Sequence, residues 1–168
     1  HTETTEQMGL IYSTDGGNTW QRSANFTALH SSEADAVELP NGKLRVFFRN
    51  QTATLRYADF DLTAGTWGSA VNTGIPTNSN TALSAITYSQ TVTHNGKQKK
   101  VILISCPASA NLNGSSSSDG SWRTSGRIFA GLVDPTTCEM TWLDKSVAIT
   151  AVASGQLSGS NYTEAQGF

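Results

Sequence analysis

The chain has 168 residues with 11 basic and 13 acidic side chains, so its net charge is only −2 and it lacks the basic surface that nucleic-acid-binding proteins use. No apolar run is long enough for a membrane helix, and the cysteines and histidines lack the spacing of zinc ligands. No metal or cofactor is expected. Cys106 and Cys138 are predicted to be buried free thiols, with a disulfide left open as the alternative.

Alternating apolar residues and turn signals predict two antiparallel sheets of four strands, one after the other. The first sheet is predicted over 33–39, 43–49, 54–60 and 67–71, and the second over 82–92, 98–106, 126–133 and 141–147. Residues 8–13 and 20–24 are predicted to be the last two strands of a preceding sheet, and Tyr162 is predicted to open a following one. Pro40-Asn41-Gly42 and His94-Asn95-Gly96 are typical of hairpin turns.

A related motif recurs at the turn between the third and fourth strands. It is complete in residues 13–20 (STDGGNTW), degraded in 61–67 (DLTAGTW) and weaker still in 134–142. One motif at a fixed place in successive four-stranded sheets is typical of a β-propeller. We expect the Asp side chain to accept hydrogen bonds from turn N–H groups, the glycines to take positive φ, and the Trp to pack inward. The motif is therefore interpreted as structural.

The predicted topology separates two edges of each sheet. The start of a first strand and the end of a second strand share one edge, here called the site edge, whereas the motif turns lie at the opposite one, the turn edge. Glu33 and Tyr162 start first strands, Arg49 ends a second strand, and Arg123 lies in the loop after another. A carboxylate, two guanidinium groups and a phenol are therefore predicted to share the site edge.

These residues resemble the bacterial exo-sialidase family. Residues 13–20 fit the S-x-D-x-G-x-T-W "Asp box" of sialidases, and residues 32–34, 37–39, 41–42 and 47–49 are similar to the family's stretch around its catalytic Glu and second triad arginine. Residues 83–86, 102–105 and 123–126 continue the resemblance, which covers nearly the whole chain. It implies an all-β fold, roughly half of a six-bladed β-propeller with Asp-box turns.

The resemblance also implies a role for each candidate residue. Tyr162 would be the nucleophile and Glu33 the base that takes its proton, while Arg49 and Arg123 would bind the carboxylate of sialic acid. Arg127 is a nearby competitor for the last role, but it is predicted to lie within a strand. The substrates implied are sialylated glycans of glycoproteins, glycolipids and oligosaccharides.

Two features depart from the family's pattern. Asp35 stands where an uncharged polar residue is expected, on the same strand face as Glu33, where it either raises the pKa of Glu33 or faces water. The family's N-terminal arginine and its acid/base aspartate have no matching segment in the chain. We therefore expect residues 1–168 to be a partial propeller of about two and a half to three blades, inactive alone and completed by a missing N-terminal half.

Alternatives stay open for the activity. A non-catalytic propeller that binds sialoglycans, a trans-sialidase, and an enzyme that releases an anhydro product would share these residues. N-x-Ser/Thr sequons begin at Asn50 and Asn161, next to Arg49 and Tyr162, where a glycan would crowd the site. This favours a bacterial source, with the protein secreted or held at the cell surface.

Overall fold

A computed structural model describes residues 7–26, 31–49, 54–76, 83–108, 125–143 and 147–151. Strands and turns make up this part of the chain, and no helix in it is long and apolar enough to cross a membrane. The twelve strands are β1 Ile11–Tyr12, β2 Gln21–Arg22, β3 Ser32–Glu38, β4 Leu44–Arg49, β5 Thr54–Asp61, β6 Thr66–Trp67, β7 Val71–Pro76, β8 Ser84–His94, β9 Lys97–Ala108, β10 Ser125–Val133, β11 Met140–Trp142 and β12 Val147–Ala151.

The strands form a two-stranded ribbon and two antiparallel sheets. β1 pairs with β2 in the ribbon, β3 to β7 form the first sheet, and β8 to β12 form the second. The first three strands of each sheet begin and end within two residues of their predicted positions. The all-β prediction with successive antiparallel sheets is therefore confirmed.

The fourth strand of each sheet differs from the prediction, because it is interrupted. β6 and β7 both pair with β5, and β11 and β12 both pair with β10. In the first sheet Gly68 N still donates to Asp59 O at 2.8 Å, but the chain rejoins β5 only at Val71. The predicted strands over 67–71 and 141–147 were therefore wrong in extent. The strands predicted over 8–13 and 20–24 shorten to two residues each.

Turn chemistry fixes the pairing of neighbouring strands. Gly42 N donates to Leu39 O at 2.9 Å, and Gly42 takes the positive φ of 77° that a three-residue hairpin loop requires. Between β8 and β9, Asn95 and Gly96 have φ values of 50° and 74°, as a two-residue type I′ turn demands. Both predicted hairpins are confirmed.

The first sheet is buried on both faces. One face packs on the ribbon through Val46, Phe48 and Ala58, which contact Met8 and Phe26. The other face packs on the second sheet through a cluster of buried residues from both sheets. Its members are Val37, Leu39, Phe47, Leu55, Ile75, Ala85, Ile102, Ile104, Cys106, Phe129, Val133 and Cys138. Removal of this apolar surface from water holds three layers together in chain order.

The two sheets repeat the same staple at the turn edge. Lys43 Nζ lies 3.0 Å from Asp61 Oδ2 in the first sheet, and Lys99 Nζ lies 2.7 Å from Asp134 Oδ2 in the second. Four residues after each Asp, Gly65 and Cys138 donate their N–H groups back to the Asp carbonyl, with φ values of 66° and 58°. The two sheets are thus related by an internal repeat, in which Lys43 corresponds to Lys99 and Asp61 corresponds to Asp134.

Candidate functional site

The turn edge is organised around carboxylates that bind their own turns. Asp15 accepts from Thr19 N at 2.8 Å, Thr19 Oγ1 at 2.7 Å and Ser13 Oγ at 2.7 Å. The hydrogen bonds from Thr19 are the largest cause of a lowered pKa for Asp15, about 2 instead of 3.8. The prediction that the Asp of this motif accepts hydrogen bonds from its own turn is therefore confirmed.

Asp61 and Asp134 follow the same rule in their own turns. Asp61 accepts from Thr63 N and Ala64 N, and Asp134 from Thr136 N and Thr137 N. The pKa of Asp61 is lowered, first by the Ala64 hydrogen bond and then by Lys43, and that of Asp134 is lowered most by Lys99. Both carboxylates are therefore held ionised by donors that serve the fold.

The expected inward packing of the motif tryptophans holds for two of three. Trp67 packs on Phe26 and Phe60 and donates Nε1–H to Ala24 O at 2.9 Å, and Trp142 packs on Phe47. Trp20 is 65% exposed, so for it the prediction was wrong. The described layers provide no sheet on its side of the ribbon, and its indole stays on its own turn, where Nε1–H donates to Gly17 O.

The site edge of the first sheet brings Glu33 and Arg49 together. Arg49, the last residue of β4, is only 7% exposed, and its Nε lies 2.5 Å from Glu33 Oε2. By the alternation of β4, Arg49 lies on the same face as Phe47, which is turned toward the second sheet. A buried guanidinium is thus held at the sheet edge by an exposed carboxylate. A guanidinium in this position can release the carboxylate and bind an incoming anion in its place.

Glu33 has an unusual backbone conformation. Its φ is 48°, in the left-handed region that non-glycine residues seldom occupy. The reason is a β-bulge, because Ser32 pairs with Arg49 and Asp35 with Phe47, which leaves Glu33 and Ala34 opposite Phe48. Bulges and left-handed residues concentrate where a fold re-aims a side chain, and here the side chain is re-aimed toward Arg49.

Asp35 contacts the second sheet. The register puts Asp35 opposite Phe47, on the face of the first sheet that packs on the second. Its Oδ2 accepts from Ala85 N at 2.8 Å and from Ser84 Oγ at 3.3 Å, both in the second sheet. The prediction that it faces water was wrong, since its partner is the next sheet.

Arg45 is a second buried arginine on the same face of β4, and the sequence analysis missed it. It makes a two-pronged ion pair with Asp59, with Nε–Oδ1 2.7 Å and Nη2–Oδ2 2.8 Å, and stacks 4.2 Å above the Tyr57 ring. Burial acts to lower the pKa of Arg45, but the hydrogen bonds and charge of Asp59 outweigh it and raise that pKa. The predicted pairing of β4 with β5 sets Arg45 opposite Asp59, and this pairing could have indicated the ion pair. The ion pair with Asp59 and the stacking on Tyr57 are both contacts within the first sheet.

Two of the predicted site residues, Arg123 and Tyr162, lie outside the described residues. Arg127, the competitor of Arg123, lies within a strand as predicted, and in β10 it pairs with Cys106 of β9. Cys106 and Cys138 are both buried free thiols, which confirms that prediction. Burial raises the pKa of Cys106 to about 12, so it is not a nucleophile at neutral pH. Within the described ranges, no cluster of His, Cys, Asp or Glu could hold a metal ion.

A cavity of about 300 Å³ lies at the turn edge, away from Glu33 and Arg49. Its floor is Leu39, Ile102 and Val133, and Glu38 and Lys100 stand at its rim. A carboxylate ligand would need a fork of donors there, and the single flexible ammonium of Lys100 does not provide one. This cavity therefore lacks the forked donor that the predicted carboxylate site requires.

The chain is similar in sequence to a known protein. Over 140 residues the sequence is 30% identical to an anhydrosialidase from Macrobdella decora. The sequence is sialidase-like. The matched region comprises 81% of this chain and 16% of the anhydrosialidase, so the chain spans about a sixth of the length of that relative. No protein-family model matches the chain.

Proposed function

We propose that the chain is part of a glycosidase that releases terminal sialic acid from sialoglycoconjugates. The observation that carries the proposal is the Glu33–Arg49 pair, in which a buried guanidinium at a sheet edge is paired with a carboxylate on a strained bulge. Similarity to an anhydrosialidase supports this substrate class independently of that geometry.

Arg49 is proposed to bind the carboxylate of the sugar, together with Arg123. A guanidinium is always charged and presents two parallel N–H donors to a carboxylate. Its burial favours this role, because an anion that reaches Arg49 meets a charge little screened by water. Glu33 neutralises this charge in the unliganded protein, and the substrate would become the new partner of Arg49.

Glu33 and Tyr162 are proposed to act together at the anomeric carbon. A phenol has an ordinary pKa near 10 and needs a base as it attacks, which Glu33 would supply. A phenol also suits this sugar, since a carboxylate nucleophile would be repelled by the substrate's own carboxylate. Sialidases are known exceptions among glycosidases in using tyrosine in this way. In this proposal the acid/base aspartate and a third arginine come from another part of the propeller.

The proposed architecture is about half of a six-bladed β-propeller. The repeat supports it, because residues of the first sheet that face the second have counterparts that face away from the first. Phe47 corresponds to Leu103 and Tyr57 to Ala130, and Ile86, directly opposite Leu103, is 50% exposed. The outer face of the second sheet is thus apolar, and the corresponding face of the first sheet is covered by the second sheet. A further blade stacked in the same direction would cover it.

Similarity to an anhydrosialidase favours release of an anhydro sugar as a second candidate activity. Intramolecular attack by a hydroxyl of the bound sugar would release an anhydro sugar, whereas attack by water would release free sialic acid. The two products differ in mass by one water. Mass spectrometry of the product from a natural sialoglycoprotein therefore separates the two activities.

Mutation of the nucleophile in the complete protein tests the proposal. Tyr162→Phe should leave sialic acid affinity nearly unchanged and lower the turnover of an aryl sialoside by several powers of ten, because it removes only the attacking oxygen. Near-normal turnover in Tyr162→Phe would contradict the nucleophile assignment. Sialoglycan binding without cleavage by the wild-type protein would instead identify a binding propeller.

A further inference from the structure

We propose that Asp35 is a positioning residue that fixes the Glu33 bulge against the second sheet. The proposal rests on the proposed function only in naming Glu33 as the base that is positioned. The contacts of Asp35 stand independently of that function.

The carboxylate of Asp35 connects three backbone or side-chain donors in two sheets. Oδ1 accepts from Ala36 N at 2.8 Å, while Oδ2 accepts from Ala85 N at 2.8 Å and from Ser84 Oγ at 3.3 Å. Ala36 follows the bulge in β3, and Ser84 and Ala85 begin β8. The side chain therefore links the residue after the bulge to the first two residues of β8 in the second sheet.

Glu33 is the residue that needs such support. A non-glycine residue at positive φ persists only where its surroundings hold it, and an extra residue in a strand gives the backbone local freedom that regular pairing would remove. On the entry side, Ser31 is buried and its Oγ accepts from Met8 N at 3.3 Å. On the exit side, Asp35 makes the corresponding attachment. The bulge is thus anchored to a different layer at each end.

A carboxylate suits this position better than the uncharged polar residue expected there. Two oxygens accept from donors on opposite sides, and charge strengthens each hydrogen bond. An amide could offer an oxygen to one side only, and its NH₂ group would then face the donor on the other. Asp35→Asn should consequently retain part of the attachment, and Asp35→Ala none of it.

The bulge is absent where the repeat would place it in the second sheet. Ser84 and Ser105 pair at the positions that correspond to Ser32 and Arg49, and the register continues without a shift through Ile86. The counterpart of Asp35 is Ile86, which has no polar group. The bulge and its carboxylate anchor therefore occur together in the first sheet, and both are missing from the corresponding position in the second.

A double-mutant cycle in the complete protein separates positioning from general stabilisation. Asp35→Ala should lower kcat for an aryl sialoside by about 10- to 100-fold, the cost expected when a reacting group is displaced by about 1 Å, with KM little changed. In the Glu33→Gln background the same change should have almost no further effect on kcat, because the positioned base is already gone. Asp35→Asn should lie between wild type and Asp35→Ala.

Asp61→Asn is the matched control. Asp61 also accepts from two backbone N–H groups, but at the turn edge, so its loss should affect kcat equally little in both backgrounds. Equal fold-losses for Asp35→Ala with and without Glu33 would overturn the positioning role. If Glu33→Gln itself retained normal turnover, the base assignment of the proposed function would be wrong, and the cycle would show this separately.

Hydrogen exchange tests the attachment without any activity. The amide of Ala85 should exchange faster in Asp35→Ala than in wild type, and the amide of Leu39, bonded to Lys43 O, should not change. Unchanged exchange at Ala85 would overturn the inference whatever the enzyme assays show.

Discussion

The two edges of the first sheet use ion pairs of the same kind for different purposes. At the turn edge Asp61 pairs with Lys43 and also accepts hydrogen bonds from its own turn, and Asp134 with Lys99 repeats this in the second sheet. At the site edge Glu33 pairs with Arg49, and the second sheet has Ser105 at the place of Arg49. A feature that recurs in both described sheets serves the fold, whereas a feature confined to one of them is free to serve a site.

The largest effect expected from this difference is on turnover. In the complete protein, Glu33→Gln should lower kcat by about 10² to 10⁴-fold, the usual contribution of a positioned base. Its melting temperature should fall only moderately, because the glutamine oxygen still accepts from Arg49 although it no longer neutralises the buried guanidinium. Steady-state kinetics together with thermal unfolding measures both quantities.

Asp61→Asn should show the opposite pattern. Loss of the charge weakens the contact of Oδ2 with Lys43 and the hydrogen bonds that Oδ1 accepts from Thr63 N and Ala64 N, so the melting temperature should fall while kcat of the folded enzyme stays normal. A comparable loss of kcat in Asp61→Asn and Glu33→Gln would mean that the two edges do not divide fold from chemistry.

The next effect concerns two arginines on one face of one strand. Arg49→Lys keeps the charge but loses the planar fork, so sialic acid binding should weaken by about 1.5 to 3 kcal/mol, the range for hydrogen bonds to charged groups. Arg45→Lys should leave that affinity intact and lower the melting temperature, since Arg45 serves Asp59 and Tyr57. Isothermal calorimetry with sialic acid measures the affinities.

A substrate analogue whose carboxylate is reduced to an alcohol provides the control for the arginines. Wild type and Arg49→Lys should bind this analogue with nearly equal affinity, because the group that the fork recognises is absent. An equal loss of affinity for both ligands in Arg49→Lys would assign Arg49 to the scaffold.

The sequence predicted what depends on local pattern. Alternation and turn residues placed the first three strands of each sheet, and strand order put Glu33 and Arg49 at one edge. What failed depends on tertiary contacts. The bulge at Glu33 adds one residue to the strand, and no glycine in the sequence indicates its position. The acceptor role of Asp35 depends on Ala85, which is fifty residues away along the chain. The exposure of Trp20 likewise depends on which layer lies beside the ribbon.

The smallest effect is on acid stability and comes from the turn edge. The pKa of Asp15 in the folded protein is about 2, below the ordinary 3.8, because Thr19 and Ser13 donate to the ionised carboxylate. The unfolded chain therefore takes up a proton first as the pH falls. The contribution of Asp15 to stability is present above pH 3.8 and is lost between there and about pH 2.

Urea unfolding of wild type and Asp15→Asn between pH 5 and pH 2 measures this contribution. Asp15→Asn should be less stable than wild type at pH 5, and the difference should shrink as the pH falls, since an amide does not titrate. The effect should be small because Asp15 is exposed to solvent, which weakens each of its hydrogen bonds. A difference between the two proteins that stayed constant down to pH 2 would show that the charge of Asp15 contributes nothing to the turn, and that its hydrogen bonds act through geometry alone.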